Sequence, residues 1–334
     1  MRTINIDMTK IDRQRFLQAL RACNQDSVSG EELAQTFGVS RAAIWKTVQA
    51  LRADGYDICA TTNRGYRLVQ ERDCIDAEQI ACRLGGAHAP IYVYDSLEST
   101  NRTALELADD GAPHGTIVLA RRQTQGRGRI GRSFHSPDGG IYMSVVLRPQ
   151  CRIAKATLIT PAAAVAVTRA LRELCGLQCG IKWVNDLYLR GKKVCGILTQ
   201  AQTDFETGVA RAVVVGIGIN FSMPEGGFPT DLADKAGALF ESDAPITRNA
   251  LIARIVWNLL DLTADPEHAT FMDDYRAASV VIGKHIRYTY DNVPMRGVAI
   301  DIDDAGGLVV QEDNGVRTLT CGEISVQSVD GAWQ

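Results

Sequence analysis

Between Arg121 and Arg132 the chain reads RRQTQGRGRIGR, with five arginines, three glycines and no acid. Arginine presents a planar fork of donors to carboxylate or phosphate oxygens, and glycine lets backbone N–H groups approach such an anion closely. A small polyanion, most simply a nucleotide, is the expected guest. Four polar clusters accompany this segment at the ends of strand-like runs. They are Ser99-Thr100-Asn101, Lys182-Trp183-Val184-Asn185-Asp186, Arg190-Gly191-Lys192-Lys193 and Gly216-Ile217-Gly218-Ile219-Asn220. Each has an ordinary structural explanation: helix capping, a turn, a solvated hairpin tip and strand bulges, respectively. Their order along one stretch gives them weight.

Two familiar phosphate motifs fail on context. Gly126, Gly128 and Gly131 satisfy G-x-G-x-x-G, but a dinucleotide fold needs a helix opening at the third glycine and an acid about twenty residues on. Gly131 leads instead into Ser133-Phe134-His135-Ser136-Pro137 and another turn, Asp138-Gly139-Gly140. No G-x-x-x-x-G-K-[ST] occurs. Taken alone, the basic segment also suits a solvated loop touching nucleic-acid phosphates.

The elements that hold these residues fall into three regions. Helical spacing at Ile11, Leu17 and Leu20 predicts a first helix. Ser29-Gly30-Glu31-Glu32 then opens a short helix that Gly38 stops. Ser40 caps a second helix running to about residue 54, with Ile44, Val48 and Leu51 inward and Arg41, Lys46, Gln49 and Arg52 outside. Residues 58–61 and 65–68 form a hairpin around Thr62-Asn63-Arg64. Two helices joined by a glycine turn, followed by a hairpin wing, predict a winged helix-turn-helix over 1–70. Ser40, Arg41 and Lys46 stand nearest the bases, Arg64 reaches phosphate or minor groove, and Trp45 is expected to pack. Residues 76–279 mix strands with few helices, which predicts an α+β domain whose mixed, mainly antiparallel sheet carries helices on one side. Residues 280–330 alternate short strands with turns, as in a small β-barrel.

Charge separates the ends. Residues 1–70 hold ten Lys/Arg against seven Asp/Glu, whereas 284–330 hold four against eight, in a chain of formal net charge -3. Nine cysteines without a C-x-x-C pair fit reduced thiols better than a disulfide framework or zinc site. No apolar signal core and no run near the ~20 residues of a membrane span is visible, so a cytoplasmic location is expected.

Taken together and in order, the serine-threonine-asparagine element, GRGR-x-GR, KWxND, the lysine before Gly196-Ile197-Leu198, G-x-G-x-N and a terminal barrel resemble the biotin protein ligases. The resemblance covers roughly residues 91–327. With the winged helix in front, the chain is similar to the bifunctional members that also repress biotin synthesis genes. The resemblance implies a small C-terminal barrel of SH3 type and a reaction in two steps. Biotin and MgATP give biotinyl-5'-AMP, and biotin then passes to a lysine of the biotin carboxyl carrier protein. Carried over by position, the biotin pocket falls on Ser99, Thr100, Asn101, Gln123, Arg127, Lys193, Gly216 and Gly218. The nucleotide side falls on Arg129, Arg132, Phe134, Asn185 and Asn220. Arg127, Arg129 and Lys193 would offset charge during catalysis, and Asp186 is the candidate base of the transfer step. No dedicated metal ligands are expected, magnesium arriving on ATP. The resemblance further implies a homodimer when biotinyl-AMP is bound, gripping operator DNA. Phe134 stands where the family commonly has tryptophan, Ser133 where lysine is frequent, and Val184 where KWPND has proline.

Three other readings stay open on the sequence: a non-catalytic ligand-sensing regulator, a lipoate ligase, and a single-function ligase whose winged helix no longer binds DNA.

Overall fold

In a computed structural model, residues 11, 13–22, 27–53, 56–61, 65–70, 73–85, 89–149, 153–204, 206, 208–265 and 270–326 are described. The chain divides into two units, Met1–Cys74 and Ile75–Gln334.

In the first unit, helices α1 (Arg13–Ala22), α2 (Gly30–Phe37) and α3 (Arg41–Ala53) precede strands β1 (Asp57–Thr61) and β2 (Gly65–Gln70), which pair antiparallel. Ser29 Oγ accepts from the Glu32 amide at 3.0 Å and fixes the start of α2. Gly38, at φ +64°, closes it in a left-handed conformation that a side chain would resist. Ser40 Oγ then accepts from the Ala43 amide at 3.2 Å and starts α3. Phe16, Leu17, Leu33, Ile44, Val48, Leu51 and Ile58 form the buried core. Arg41 and Lys46 are exposed on α3. Trp45 is 55% exposed, contrary to the packing role expected of it. Its spacing explains why, since Arg41 lies one turn before it on the same outward stripe. Arg64 lies outside the described residues.

The second unit adds α4 (Ala77–Leu84), β3 (Ile91–Leu97), α5 (Thr100–Asp109), β4 (Thr116–Gln123), β5 (Ile141–Leu147), α6 (Ile153–Ala156) and α7 (Ile159–Cys175). Strands β6 (Gly180–Lys182), β7 (Asp186–Leu189), β8 (Lys192–Thr203) and β9 (Ala210–Ile219) follow. Next come α8 (Arg248–Leu262) and α9 (Met272–Ala277). Strands β10 (His285–Tyr290), β11 (Val293–Ile302), β12 (Leu308–Glu312), β13 (Gly315–Leu319) and β14 (Ile324–Val326) complete it.

A seven-stranded sheet runs β3-β4-β5-β9-β8-β7-β6. Among the described strands only the β3–β4 pair is parallel, so the sheet is mixed. Ile117, Leu119, Met143, Val145, Val213 and Val215 pack into the main core with α7 and α8, while Val118, Val146, Ala212 and Val214 pack with Ala104 and Ala108 of α5. Helices therefore cover both faces, where one side was expected. This explains apolar runs such as IYMSVVL, in which neighbouring residues point to opposite faces and both are buried.

The last five strands form an antiparallel sheet of order β13-β12-β11-β10-β14. Its inward residues, among them Ile286, Ala299, Leu308 and Val310, belong to the same buried cluster as α7 and α8. Among the described residues no pairing joins β13 to β14 to close this sheet.

Candidate active site

The polar clusters converge on one cavity of about 1000 Å³, wholly within the second unit. Its floor is the glycine-rich stretch of β8 and β9, where Gly196 faces Gly218 and Leu198 faces Gly216. No bulge interrupts β9 at these glycines, and they do not follow the strand but lie within it. What they provide is clearance. A Cβ on Gly216 would come within 2.7 Å of Asn101 Cγ, and one on Gly218 within 2.6 Å of the Phe134 ring. Such distances are inside contact range, so the strand gives up side chains to admit two residues from elsewhere.

At one end, the start of α5 is tied down by buried hydrogen bonds. The Thr100 amide donates to Gln123 Oε1 at 2.8 Å, and Gln123 Nε2 donates to Ser136 Oγ at 2.9 Å. Asn101 Nδ2 donates to Leu198 O and Gln200 Oε1, at 3.1 and 2.9 Å. Ser144 Oγ lies 2.8 Å from Thr100 Oγ1 and 2.7 Å from Asn101 Oδ1. The amide of Asn101 is thus committed to the protein. Ser99 occupies the N-cap position of α5 without making a side-chain cap bond, and it lines the cavity.

Above the floor, the arginine–glycine segment folds as its own small hairpin. Gly128 N–H donates to Arg132 O at 2.7 Å, and Phe134 N–H to Gly126 O at 2.8 Å. The Gly128 amide is therefore engaged within the hairpin and not offered to an anion. At the tip, Ile130 has φ +52° and is 73% exposed. A β-branched residue in that conformation costs on the order of 1–3 kcal/mol. Arg127 is exposed at the cavity. Arg129 donates to Asn185 Oδ1 at 3.1 Å and to Gly322 O at 3.0 Å, and Arg132 pairs with Glu323. Both thereby fasten the hairpin to the turn before β14. The Phe134 ring meets Tyr142 edge-on, centroids 6.4 Å apart.

Opposite lies an ion pair, Lys193 Nζ to Asp186 Oδ2 at 2.7 Å. A bulge builds it. Asp186 faces Gly196 and Leu187 faces Cys195, yet Tyr188 faces Lys193, which leaves Val194 as the extra residue on β8. That shift brings Lys193 to the face carrying Asp186 and Gly196. Asp186 Oδ1 is buried and, among the described residues, accepts no hydrogen bond. Lys182, directly across from Asp186, also lines the cavity. Burial lowers its pKa first, and the nearby Lys193 and Arg132 charges lower it further against the opposing pull of Asp186 and Glu323. Burial and then the Asp186 charge push the Tyr188 phenol up to about 12.

Of the residues singled out from sequence, Ser99, Thr100, Asn101, Gln123, Arg127, Arg129, Arg132, Phe134, Asn185, Asp186, Lys193, Gly216 and Gly218 all line this cavity. Asn220 does not. Its Nδ2 donates to Gly237 O at 2.9 Å, pinning the segment that pairs with Lys193 from behind. Sequence reasoning passed over Ser144, whose signal is a lone polar residue in an apolar strand, and Lys182, named in its motif but given no role.

A winged-helix unit, joined in one chain to a mixed-sheet unit whose basic hairpin, lysine–aspartate pair and glycine floor share a cavity, defines an enzyme of anionic substrates coupled to a nucleic-acid-binding type of module. Comparison with known proteins narrows the class. Residues 93–220 match the biotin/lipoate A/B protein ligase family, residues 13–67 an HTH domain, and residues 281–327 the biotin protein ligase C terminal domain. The chain is 33% identical to the bifunctional ligase/repressor BirA of Bacillus subtilis, over 94% of this chain and 98% of that protein. It is 30% identical to the bifunctional ligase/repressor BirA of Escherichia coli, over 92% and 95%. Among solved structures, the biotin protein ligase from Aquifex aeolicus in complex with biotin and ATP aligns with a TM-score of 0.59 at 25% identity, covering 71% of this chain and 98% of that one. The chain belongs to the biotin/lipoate A/B protein ligase family.

Proposed function

We propose that this protein is a biotin protein ligase that also represses biotin synthesis genes when biotinyl-5'-AMP is bound. The observation that carries the enzymatic half is the gathering of the Lys193–Asp186 pair, the arginine hairpin and the glycine floor around one cavity. In this reading biotin lies on the floor between Gly216 and Gly218, against Ser99, Thr100 and Gln123, with Asn101 bracing that wall. Its carboxylate points to Lys193 and Arg127. The nucleotide lies toward Arg129, Arg132 and Asn185, with the Phe134 ring offering a face to adenine. Asn220 acts indirectly, by holding the backbone behind Lys193.

Biotin's carboxylate is ionised at neutral pH, so its attack on the α-phosphorus of MgATP requires no general base. It requires relief of charge repulsion, and Lys193, Arg127 and Arg129 supply it. The carboxylate oxygen bonds to phosphorus as the bond to the bridging oxygen breaks, and pyrophosphate departs. In the second step the amine of a carrier-protein lysine loses a proton and attacks the acyl carbon, and AMP leaves. The free Oδ1 of Asp186 is the acceptor for that proton, while Oδ2 keeps Lys193 in place. The five C-terminal strands form, in this reading, a small SH3-like barrel. The protein works in the cytoplasm, where carrier and operator are found.

Incubation with MgATP, labelled biotin and a biotin carboxyl carrier domain should release pyrophosphate and label the carrier. Ligand binding with no pyrophosphate release would favour a non-catalytic sensor. Asp186→Asn preserves a hydrogen-bonding group for Lys193 but cannot take a proton. It should slow transfer from preformed biotinyl-AMP at least about tenfold while adenylate formation changes much less. Equal losses in both steps would reject the role as base.

For the repressor half, Ser40, Arg41, Lys46 and Arg64 are the contacts offered to operator DNA by a homodimer formed with biotinyl-AMP. The exposed Trp45 stands on the same stripe. Arg41→Ala with Lys46→Ala should weaken binding to the upstream region of biotin genes and reduce the slope of log K against log[salt] by up to about four, one for each cation removed from the two protomers. A gel shift with and without biotin and ATP checks both; binding indifferent to the adenylate would reject the corepressor role.

A further inference from the structure

Helix α3 of the winged unit buries Ile44, Val48 and Leu51 along one stripe. Turned away from that stripe are Ala42, Trp45 and Gln49, which follow one another at helical spacing and form a second stripe. Arg41 runs along one border of it and Lys46 along the other, both exposed. The outward surface is thus a neutral strip between two cations. Ala42 and Trp45 lie in the first two turns of the helix, the part that a helix-turn-helix module offers to base edges.

Within the strip Trp45 is the residue whose position the fold does not explain. Trp183, by contrast, is buried and donates from Nε1 to Gly306 O at 2.9 Å. Trp257 is exposed, yet the Arg254 guanidinium lies over it, 5.5 Å from the ring centroid. Trp45 is 55% exposed, and among the described residues neither a ring nor a cation covers it. The exposed part of the indole contributes nothing to the core beneath α3.

The borders decide what kind of surface the strip meets. Arg41 and Lys46 suit two rows of phosphates, and residues 1–70 carry ten Lys/Arg against seven Asp/Glu. The DNA major groove has that cross-section, with phosphates at both walls and base edges between them. Among the groups displayed there the C5-methyl of thymine is the apolar one, and it is met by apolar side chains. An indole body beside an alanine methyl offers that contact. We propose that Trp45, with Ala42 next to it, packs on a thymine methyl in each half-site of the operator and so selects sequence, while Arg41 and Lys46 at the borders meet phosphate. This rests on the repressor reading above.

The test uses the full chain with biotin and MgATP, and a duplex carrying the upstream region of biotin genes. Its thymines are replaced one at a time by deoxyuridine, which lacks only the methyl group. At one thymine in each half-site the parent should lose about fourfold in affinity, and about fifteenfold when both are replaced, as burial of one and of two methyl groups implies. Trp45→Gln keeps a good helix former at an exposed position, so the variant should melt with the parent. It should bind the unmodified duplex at least about fifteenfold more weakly and no longer distinguish deoxyuridine from thymine at those two positions. The slope of log K against log[salt] should match the parent's, because no charge has been removed. Parent-like affinity in Trp45→Gln, or a deoxyuridine penalty that the variant retains, would overturn the proposal. So would a parent that selects the operator region yet is indifferent to every thymine methyl. A parent that binds this region no better than unrelated DNA, with or without biotin and ATP, would overturn the repressor reading and the thymine contact with it.

Discussion

Replacing Arg129 with glycine should turn the protein into a leaky source of biotinyl-AMP. In the structure Arg129 joins three separate pieces: the hairpin that carries it, Asn185 at the β6–β7 turn and the Gly322 carbonyl before β14. Each hydrogen bond from a cation contributes about 1.5–3 kcal/mol. Loss of even one corresponds to roughly 10- to 150-fold faster escape of a ligand enclosed by the hairpin. The adenylate is a mixed anhydride that acylates any amine it meets, so its escape should label bystander proteins as well as the carrier. Adenylate formation should survive, since Arg127 and Lys193 remain to offset charge. Dissociation of labelled biotinyl-AMP, followed by rapid filtration, measures the effect directly. Retention at the parent rate would show that the hairpin is held by something other than Arg129.

Gly216→Ala should strike the floor with comparable force and by a different route. The new methyl group would overlap the Asn101 amide, which has nowhere to go: Leu198 O, Gln200 Oε1 and Ser144 Oγ hold it from three sides. Overpacking of this kind costs about 1–3 kcal/mol, and displacing the amide leaves buried partners unsatisfied. At about 2–4 °C per kcal/mol for a unit of this size, the unfolding midpoint should fall by several degrees. Biotin affinity should fall about tenfold or more, because the wall at Thr100 and Gln123 moves with Asn101. Gly218→Ala should displace Phe134 instead, and so weaken MgATP more than biotin. Calorimetric titration with each ligand separates the two, and equal losses for both ligands in both variants would contradict this division of the floor.

Local signals in the sequence were strong wherever a residue acts on its near neighbours. Ser29, Gly38 and Ser40 bound the helices of the winged unit as their cap chemistry requires, and the Arg190–Gly191 turn separates β7 from β8. Signals that depend on distant partners were silent. Nothing near Gly216 announces that its missing side chain makes room for Asn101, which stands 115 positions earlier on another element. Nothing in GRGR-x-GR announces that two of its arginines are bound to a turn about 190 residues on. Trp45 is a different lesson. Its spacing from Arg41 is legible and places it outward, against the tendency of a large apolar side chain to enter the core.

The bulge at Val194 places an unusual kind of constraint on this enzyme. Lys193 reaches Asp186 because strand β8 carries one residue more than its partner at that point. Parity therefore matters as much as chemistry. Lys193 stands three positions from Gly196, a spacing that regular alternation would send to opposite sides of the sheet, and only the bulge at Val194 puts both on one face. What drift must preserve here is the match between a three-residue step and the bulge that absorbs it, a property of backbone register and not of any one side chain.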